Sequence, residues 1–196
     1  MPYSPEQIRS FIAIELSEEI KRGLARLRNE LERTEHSFVK WVEPEGLHLT
    51  LKFLGNIPFK QVAEITNAME EATQGISPFH LEIPGLGAFP NLKQPRVLWV
   101  GIRGELDTLS KLQQNIDSVL APFGFAKEER PFVTHLTLAH IKQGASPIER
   151  KSFGELVMSI NFEIRYPLDV GGISLMRSQL TPGGAIYTRL FMVKLV

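Results

Sequence analysis

The sequence predicts an α+β protein with two pseudo-symmetric lobes, in which helices cover the outside of antiparallel sheets and a central cleft separates the lobes. Three observations support this prediction. The tetrapeptide HLTL occurs twice, at His48–Leu51 and at His135–Leu138. The order strand, helix, strand, strand, helix, strand occurs in the first half and approximately again in the second. The length of 196 residues and the apolar fraction of 43% suit one globular domain, so residues 1–196 are expected to form a single bilobal unit.

The first half of the chain contains four predicted strands and two predicted helices. β-Branched and aromatic residues predict a strand over Arg9–Leu16, and Ser17 is a good N-cap for the helix that follows. A second helix is predicted from Pro58 to about Gln74, because apolar residues recur there at helical spacing. The other predicted strands are FVKWV, GLHLTLKFLG and FHLEI. The glycine- and proline-rich segment PGLGAFPNLKQP predicts a loop.

The second half begins the pattern again with the predicted strand RVLWVGI. Apolar residues at helical spacing predict a helix between Leu106 and Leu120, and the predicted strand FVTHLTLAHI follows it. Ser146 and Pro147 are a good N-cap and first residue for a short helix. The last predicted strands are NFEIRYPL, GGISLMRSQL and AIYTRLFMVKL, with the turn TPGG joining the final two. An ancient duplication would produce this order.

Composition excludes several classes of protein. Lysine plus arginine and aspartate plus glutamate number 22 each, so an overall basic field for coating long nucleic acid duplexes is absent. The chain has no cysteine, which excludes disulfides and thiolate metal sites. The first ten residues lack the pattern of a signal peptide, and the apolar runs are too short to span a bilayer. We therefore expect a soluble, cytoplasmic protein that acts as a monomer.

The two HLTL copies carry the chemistry. Because side chains alternate along a strand, His48 and Thr50 share one face while both leucines point to the core, and the same holds for His135 and Thr137. If the two polar faces meet in one cleft, one imidazole can act as a base and the other as an acid. The threonine hydroxyls can donate hydrogen bonds to oxyanions. This set suits metal-free phosphoryl transfer.

Other kinds of site fit less well. A zinc site needs three or four ligands, and neither HExxH spacing nor a carboxylate within a motif supplies them. The sequence has no GxSxG turn for a serine nucleophile. The glycines at Gly85 and Gly87 are followed by Phe89 and proline, not by the start of a helix, which argues against a dinucleotide site.

At this point the chain resembles a known family. The paired HxTx motifs are similar to those of the two-histidine phosphoesterases, and more closely to the RNA 2′,3′-cyclic phosphodiesterases, also called 2′-5′ RNA ligases. The likeness covers nearly the whole chain. It is carried in order by RSFIAIEL, HLTLKFLG, GAFPN with PRVLWVGI, RPFVTHLTLAH and ISLMRSQLTPGGAIYTRL.

The resemblance implies a substrate and roles for four residues. The substrate would be an RNA 3′ end with a 2′,3′-cyclic phosphate, or a small nucleotide, and the product a 2′-phosphomonoester. His48 would donate a proton to the leaving 3′ oxygen, His135 would accept one from water, and Thr50 and Thr137 would bind the phosphate. A related step would use an RNA 5′-hydroxyl in place of water. No metal, ATP or other cofactor is implied, because the strained cyclic ester supplies the driving force.

Two departures from the family pattern concern the second motif. Thr134 stands where the family usually has proline, and His140 stands where it commonly has arginine. An arginine would bind phosphate through two hydrogen bonds, so another group must replace it. Candidates for these substrate contacts are Arg130, Arg96, Lys52 and His140.

The aromatic residues and the class of activity leave alternatives. Phe89 lies in the predicted loop and is the better candidate for stacking on a base, whereas Trp99, inside VLWV, is predicted to be core and Tyr187 to have a packing role. Two other functions compete with RNA hydrolysis. One is a non-catalytic module that binds RNA ends or nucleotides, and the other is a phosphodiesterase of small cyclic nucleotides.

Overall fold

The structure is a computed structural model that describes residues 7–33, 36–127, 134–160, 166–182 and 184–196. Helices and antiparallel sheets are mixed along the chain, which confirms the predicted fold class. The strands are β1 Gln7–Glu15, β2 Val39–Trp41, β3 His48–Pro58, β4 Phe79–Ile83, β5 Leu86–Phe89, β6 Val97–Gly101, β7 Arg103–Gly104, β8 His135–Ile141, β9 Tyr166–Val170, β10 Gly172–Thr181 and β11 Gly184–Lys194. The helices are α1 Glu18–Leu31, α2 Val62–Thr73, α3 Leu106–Leu120 and α4 Pro147–Ser159.

The described strands form three sheets. The first sheet has the order β11-β10-β1-β3, the second has the order β2-β8-β6-β5, and the third has the order β7-β4-β9. The pairings between these strands are antiparallel. Each four-stranded sheet contains one HLTL motif, at the start of β3 and at the start of β8.

The two halves of the sequence do not each build one sheet. Strand β2 precedes the first motif but pairs with β8 in the second sheet. Strands β10 and β11 lie near the end of the chain, yet β10 pairs with β1 in the first sheet. Each four-stranded sheet therefore combines strands from both halves of the sequence.

Helices α1 and α4 begin at the serine caps that the sequence predicts. The Ser17 hydroxyl accepts a hydrogen bond from the backbone N–H of Ile20 at the start of α1, and Ser146 and Glu149 form a reciprocal capping box at the start of α4. One apolar core joins the buried faces of helices and strands, including the leucines of both HLTL motifs. Among the described residues, no helix is both long enough and apolar enough to cross a membrane.

Two predicted boundaries differ from the structure, and a third prediction lies partly outside the described residues. The predicted loop after Ile83 contains the short strand β5, whose register places Gly87 opposite Trp99. The second helix begins at Val62, because β3 continues to Pro58 through Gly55, which has a φ of 71°, and a 3-10 helix spans Phe59–Gln61. The predicted strand NFEIRYPL is described only from Tyr166 onward.

Candidate active site

The polar face of each motif is set by strand alternation. In β3, Leu49 and Leu51 are buried, whereas His48 and Thr50 are half-buried on the other face. The second motif repeats this pattern in β8, where the half-buried residues are the histidine and the threonine and the buried ones are the leucines. Each motif thus offers one imidazole and one hydroxyl from the same face of a strand.

The backbone pairing around the two motifs is equivalent. His48 lies opposite Glu15, and His135 lies opposite Gly101. A register shift follows the threonine in both strands, so that Leu51 has no partner in β1 and the corresponding leucine of β8 has none in β6. The same irregularity at the same motif position shows that the two sheets place their motifs in the same way.

The two motif strands are neighbours. Strand β3 forms one edge of the first sheet, and it contacts β8 of the second sheet. The leucine sides of both strands enter the same core, which keeps the histidine and threonine sides on the opposite faces. The fold therefore brings the two polar faces to adjacent strands, although they are far apart in sequence.

His48 is held by a hydrogen bond and two aromatic rings. Its Nδ1 lies 2.6 Å from the carbonyl oxygen of Gly46, so Nδ1 carries the hydrogen and Nε2 is left for chemistry. The imidazole stacks on Phe11 with 4.5 Å between ring centroids. Tyr187 packs edge-on against it at 5.0 Å. These contacts fix both the orientation and the tautomer of the ring.

The charge state of His48 reflects two opposing effects. Desolvation by burial lowers the pKa of His48, and the Gly46 carbonyl and the negative charge of Glu15 partly oppose this. The Glu15 carboxylate is itself held in place. It accepts hydrogen bonds from the Ser174 hydroxyl at 2.5 Å and from the Arg189 guanidinium at 3.1 Å. A fixed carboxylate therefore stands next to the first histidine.

His135 has different neighbours. The Phe89 ring lies edge-on to its imidazole with 5.2 Å between centroids, and the Trp99 ring lies 6.4 Å away. The residue opposite in the sheet, Gly101, has no side chain. On β5 and β6, the second histidine therefore has two aromatic rings and a glycine as neighbours.

The prediction that Trp99 belongs to the core is wrong. Leu98 and Val100 are the buried residues of β6, whereas Trp99 is partly exposed on the face that carries His135 and Thr137. The indole lies over Gly87, where a Cβ would come within 2.3 Å of the ring atoms. Its Nε1–H is buried and has no hydrogen-bond acceptor among the described residues.

Two of the candidate substrate contacts outside the motifs, Lys52 and Phe89, lie in different surroundings. Lys52 is buried, and its Nζ donates to Asp117 at 2.5 Å and to the carbonyl of Ala126 at 2.8 Å. The structure thus corrects the prediction that Lys52 faces the substrate, because the bulge at Leu51 turns it toward α3. Phe89 lies beside His135, as described above.

Two of the remaining candidates, His140 and Arg96, lie away from the motif histidine of β8. His140 is exposed near the other end of β8, opposite Lys40. Partial desolvation and the charge of Lys40 lower the pKa of His140, which weakens it as a cation for phosphate. Arg96 is exposed just before β6. Arg130 lies outside the described residues.

Four residues of the site were not singled out from the sequence as functional: Phe11, Glu15, Tyr187 and Trp99. Each reaches a histidine only through strand pairing, and the pairing partner of a strand is not visible in a local pattern. Within the described ranges, no group of three or more histidine, aspartate or glutamate residues is arranged to hold a metal ion.

Comparison with known families gives a consistent result. The family model described as "LigT like Phosphoesterase" matches the chain twice, over residues 14–99 and 100–187. Each matched segment contains one HLTL motif. The two matches together span most of the chain and divide it into the two halves that the sequence pattern indicated.

Relatives of similar length carry one name. An RNA 2′,3′-cyclic phosphodiesterase of Methanothermobacter thermautotrophicus is 36% identical over 190 residues, covering 96% of this chain and 100% of that protein. An RNA 2′,3′-cyclic phosphodiesterase of Aquifex aeolicus is 33% identical and covers 92% of this chain and 94% of that protein. Among solved structures, LigT of Escherichia coli in complex with 3′-AMP has a TM-score of 0.74 and 26% identity, covering 97% of this chain and 99% of that one. A protein of Thermus thermophilus also has a TM-score of 0.74, at 28% identity, with 96% of this chain and 98% of that one covered.

Proposed function

This chain belongs to the LigT-like phosphoesterase family, and from that premise we propose that it hydrolyses 2′,3′-cyclic phosphate ends of RNA to 2′-phosphomonoesters. The observation that supports this most strongly is the equivalent placement of two HLTL motifs on neighbouring strands. Simple binding of a nucleotide would not require two proton-exchanging groups in matching positions.

We assign His135 as the general base. Its imidazole accepts a proton from water, and the water oxygen forms a new bond to phosphorus. The residue beside it in the sheet is Gly101, so no side chain from that position stands where the water must approach. The pairing of His135 with Gly101 supports this role, and it leaves the same approach open to a hydroxyl group of an RNA.

We assign His48 as the general acid. As the bond between phosphorus and the 3′ oxygen breaks, Nε2 of His48 transfers its proton to that oxygen, and the 2′-phosphomonoester remains. The hydrogen bond from Nδ1 to the Gly46 carbonyl leaves Nε2 for this step. Burial lowers the pKa of His48, Glu15 partly opposes this shift, and the negative charge of a bound phosphate would oppose it as well.

Thr50 and Thr137 complete the proposed site. Their hydroxyls lie on the same strand faces as the histidines, where they can donate hydrogen bonds to the non-bridging phosphate oxygens. The reaction needs no metal ion in this scheme, since proton transfer by two imidazoles and hydrogen bonding to the phosphate supply the catalysis.

The test uses a short RNA that ends in a 2′,3′-cyclic phosphate, incubated with the protein in the presence of EDTA. Formation of the 2′-phosphomonoester is expected for the wild type. His48→Ala and His135→Ala are expected to lower the turnover rate by about 10² to 10⁴, the usual contribution of a general acid or base.

His80→Ala is the matched control. His80 is an exposed histidine of the third sheet whose Nδ1 lies 2.6 Å from Asp169, so its removal should leave turnover unchanged. Full activity of either motif variant, with circular dichroism equal to that of the wild type, would refute the assigned roles.

A smaller substrate is the second candidate. The relative from Escherichia coli was solved with 3′-AMP, a mononucleotide, which supports binding of a nucleoside 2′,3′-cyclic phosphate in the same site. Comparison of kcat/KM for a cyclic mononucleotide and for RNAs of two to ten nucleotides separates the two substrates. If kcat/KM does not rise with the length of the RNA, the small nucleotide is the favoured substrate.

A further inference from the structure

The polar face of the second sheet carries two aromatic rings next to His135. Trp99 and Phe89 lie with 5.2 Å between ring centroids, and we call this pair the Trp99 platform. One side of the indole rests on the backbone at Gly87, where the atoms nearest to a built Cβ all belong to the ring. Because both residues are partly exposed, the platform presents aromatic surface away from the sheet.

Two glycines make this arrangement possible. Gly87 lies directly opposite Trp99, and any side chain there would displace the ring. Gly101 lies opposite His135, and a Cβ at this position would first meet the Trp99 ring at 3.4 Å. The surface between the imidazole and the indole is therefore formed by backbone and aromatic rings.

We propose that the Trp99 platform stacks on the first base of an RNA strand that attacks the cyclic phosphate through its 5′-hydroxyl. The proposal rests on the proposed function, because it takes His135 as the base that activates the attacking group. It extends that function by naming the surface that binds the first base of the 5′-hydroxyl acceptor.

The geometry of the substitution at phosphorus determines on which side of the site the acceptor RNA binds. The attacking oxygen and the leaving oxygen lie roughly in line on opposite sides of phosphorus. The leaving 3′ oxygen receives its proton from His48, so the strand that carries the cyclic phosphate lies toward the first sheet. The attacking 5′-hydroxyl lies toward His135, and its nucleoside then meets Phe89 and Trp99.

The ligation step balances without a cofactor. His135 takes the proton of the 5′-hydroxyl, the 5′ oxygen bonds to phosphorus, and the bond from phosphorus to the 3′ oxygen breaks. That 3′ oxygen takes the proton of His48, and the product is a 2′-5′ phosphodiester. Because one phosphate ester bond replaces another, the reaction also runs in reverse.

The experiment compares two acceptors with four proteins. The acceptors are a 5′-hydroxyl RNA with its first base and the same RNA with an abasic first position, each added to an RNA that ends in a cyclic phosphate. The measured quantity is the amount of 2′-5′ product divided by the amount of hydrolysed product. The wild type is expected to show about a tenfold higher ratio with the base present, which corresponds to one stacked base.

Trp99→Leu and Gly87→Ala are expected to reduce that base effect to about twofold or less, the first by removing the ring and the second by displacing it. Phe53→Leu is the matched control, since Phe53 is an aromatic residue of the first sheet that is 73% exposed, and it should keep the full base effect.

The outcomes are separable. A full base effect in Trp99→Leu, or a wild type that hydrolyses the substrate but forms no 2′-5′ product at any acceptor concentration, overturns the platform while leaving the proposed hydrolase in place. A wild type that does not turn over the cyclic phosphate at all overturns both.

Discussion

The first and second sheets present the same motif with different neighbours. Opposite the motif histidine, the first sheet has Glu15 and the second has Gly101. Opposite the motif threonine, the first sheet has Ala13 and the second has Trp99. The backbone arrangement is repeated down to the register shift after the threonine, so the difference between the sheets lies in the side chains.

This difference shows how two copies of one motif can take different roles, one as proton donor and the other as proton acceptor. Burial lowers the pKa of His48, and the Glu15 carboxylate opposes that shift by favouring the protonated ring, which suits a proton donor. A glycine beside an imidazole leaves room for a group that must approach phosphorus, which suits the partner of the nucleophile. The neighbours therefore support giving the donor role to His48 and the acceptor role to His135.

The largest effect expected from this comparison comes from a substrate whose leaving group needs no proton. In a 2′,3′-cyclic phosphate with sulfur at the 3′ bridging position, the thiolate leaves without protonation. We expect His48→Ala to regain most of its loss of about 10² to 10⁴ on this substrate, whereas His135→Ala stays impaired. The rate of thiol release measures both.

Wild-type protein on the same sulfur substrate is the control for any intrinsic change in reactivity. Equal rescue of both variants would mean that the two sheets do not divide the acid and base roles. Rescue of His135→Ala alone would mean that the roles are reversed.

The next effect concerns the residue two positions after each threonine. The first sheet has Lys52 there and the second has Ala139, and both are buried. Lys52→Ala makes the first sheet resemble the second but leaves Asp117 buried without its cation. We expect the free energy of unfolding to fall by about 3 to 5 kcal/mol, as measured by urea denaturation.

The matched control is the double variant Lys52→Met with Asp117→Leu, which removes both charges and keeps apolar volume. It is expected to be more stable than Lys52→Ala, because the buried carboxylate is removed together with the lysine. If Lys52→Ala instead kept its stability and lost turnover, Lys52 would be a substrate contact after all.

Local patterns in the sequence predicted the parts of the fold that depend on local physics. The caps Ser17 and Ser146 begin helices because their hydroxyls accept bonds from free backbone N–H groups. The half-buried His48 and His135 follow from the two-residue period of a strand. These features need no knowledge of distant partners.

Features that depend on strand pairing were missed. The apolar run VLWV led to the prediction that Trp99 lies in the core, but the burial of β6 alternates and Trp99 lies on the partly exposed face, which a run of apolar residues does not reveal. The role of Glu15 requires knowing that β1 pairs with β3, and the exchange of β2 between sheets cannot be derived from composition. Pairing is a property of the assembled sheets.

The smallest effect tests the carboxylate that distinguishes the two histidines. Glu15 lies beside His48, and Arg189 on β11 neutralises part of its charge. Glu15→Gln keeps an oxygen for the Ser174 hydroxyl but removes the negative charge, which lowers the pKa of His48 further. Arg189→Gln leaves the Glu15 charge less compensated and is expected to raise that pKa.

The sign of the effect on catalysis follows from the role of His48. On the alkaline side of the pH profile, kcat/KM is proportional to the fraction of His48 that is protonated, whereas at acidic pH that fraction is complete. The ratio of Glu15→Gln to wild type should therefore be pH-independent at low pH and fall by about twofold to fivefold as pH rises, the size of a partly exposed charge interaction. Arg189→Gln should show a ratio that rises over the same range. Tyr187 and the Gly46 carbonyl, which also face His48, are unchanged in both variants, so opposite trends isolate the carboxylate. Parallel trends in the two variants would mean that the side chain opposite the first histidine has no electrostatic role, and that the asymmetry between the sheets serves packing alone.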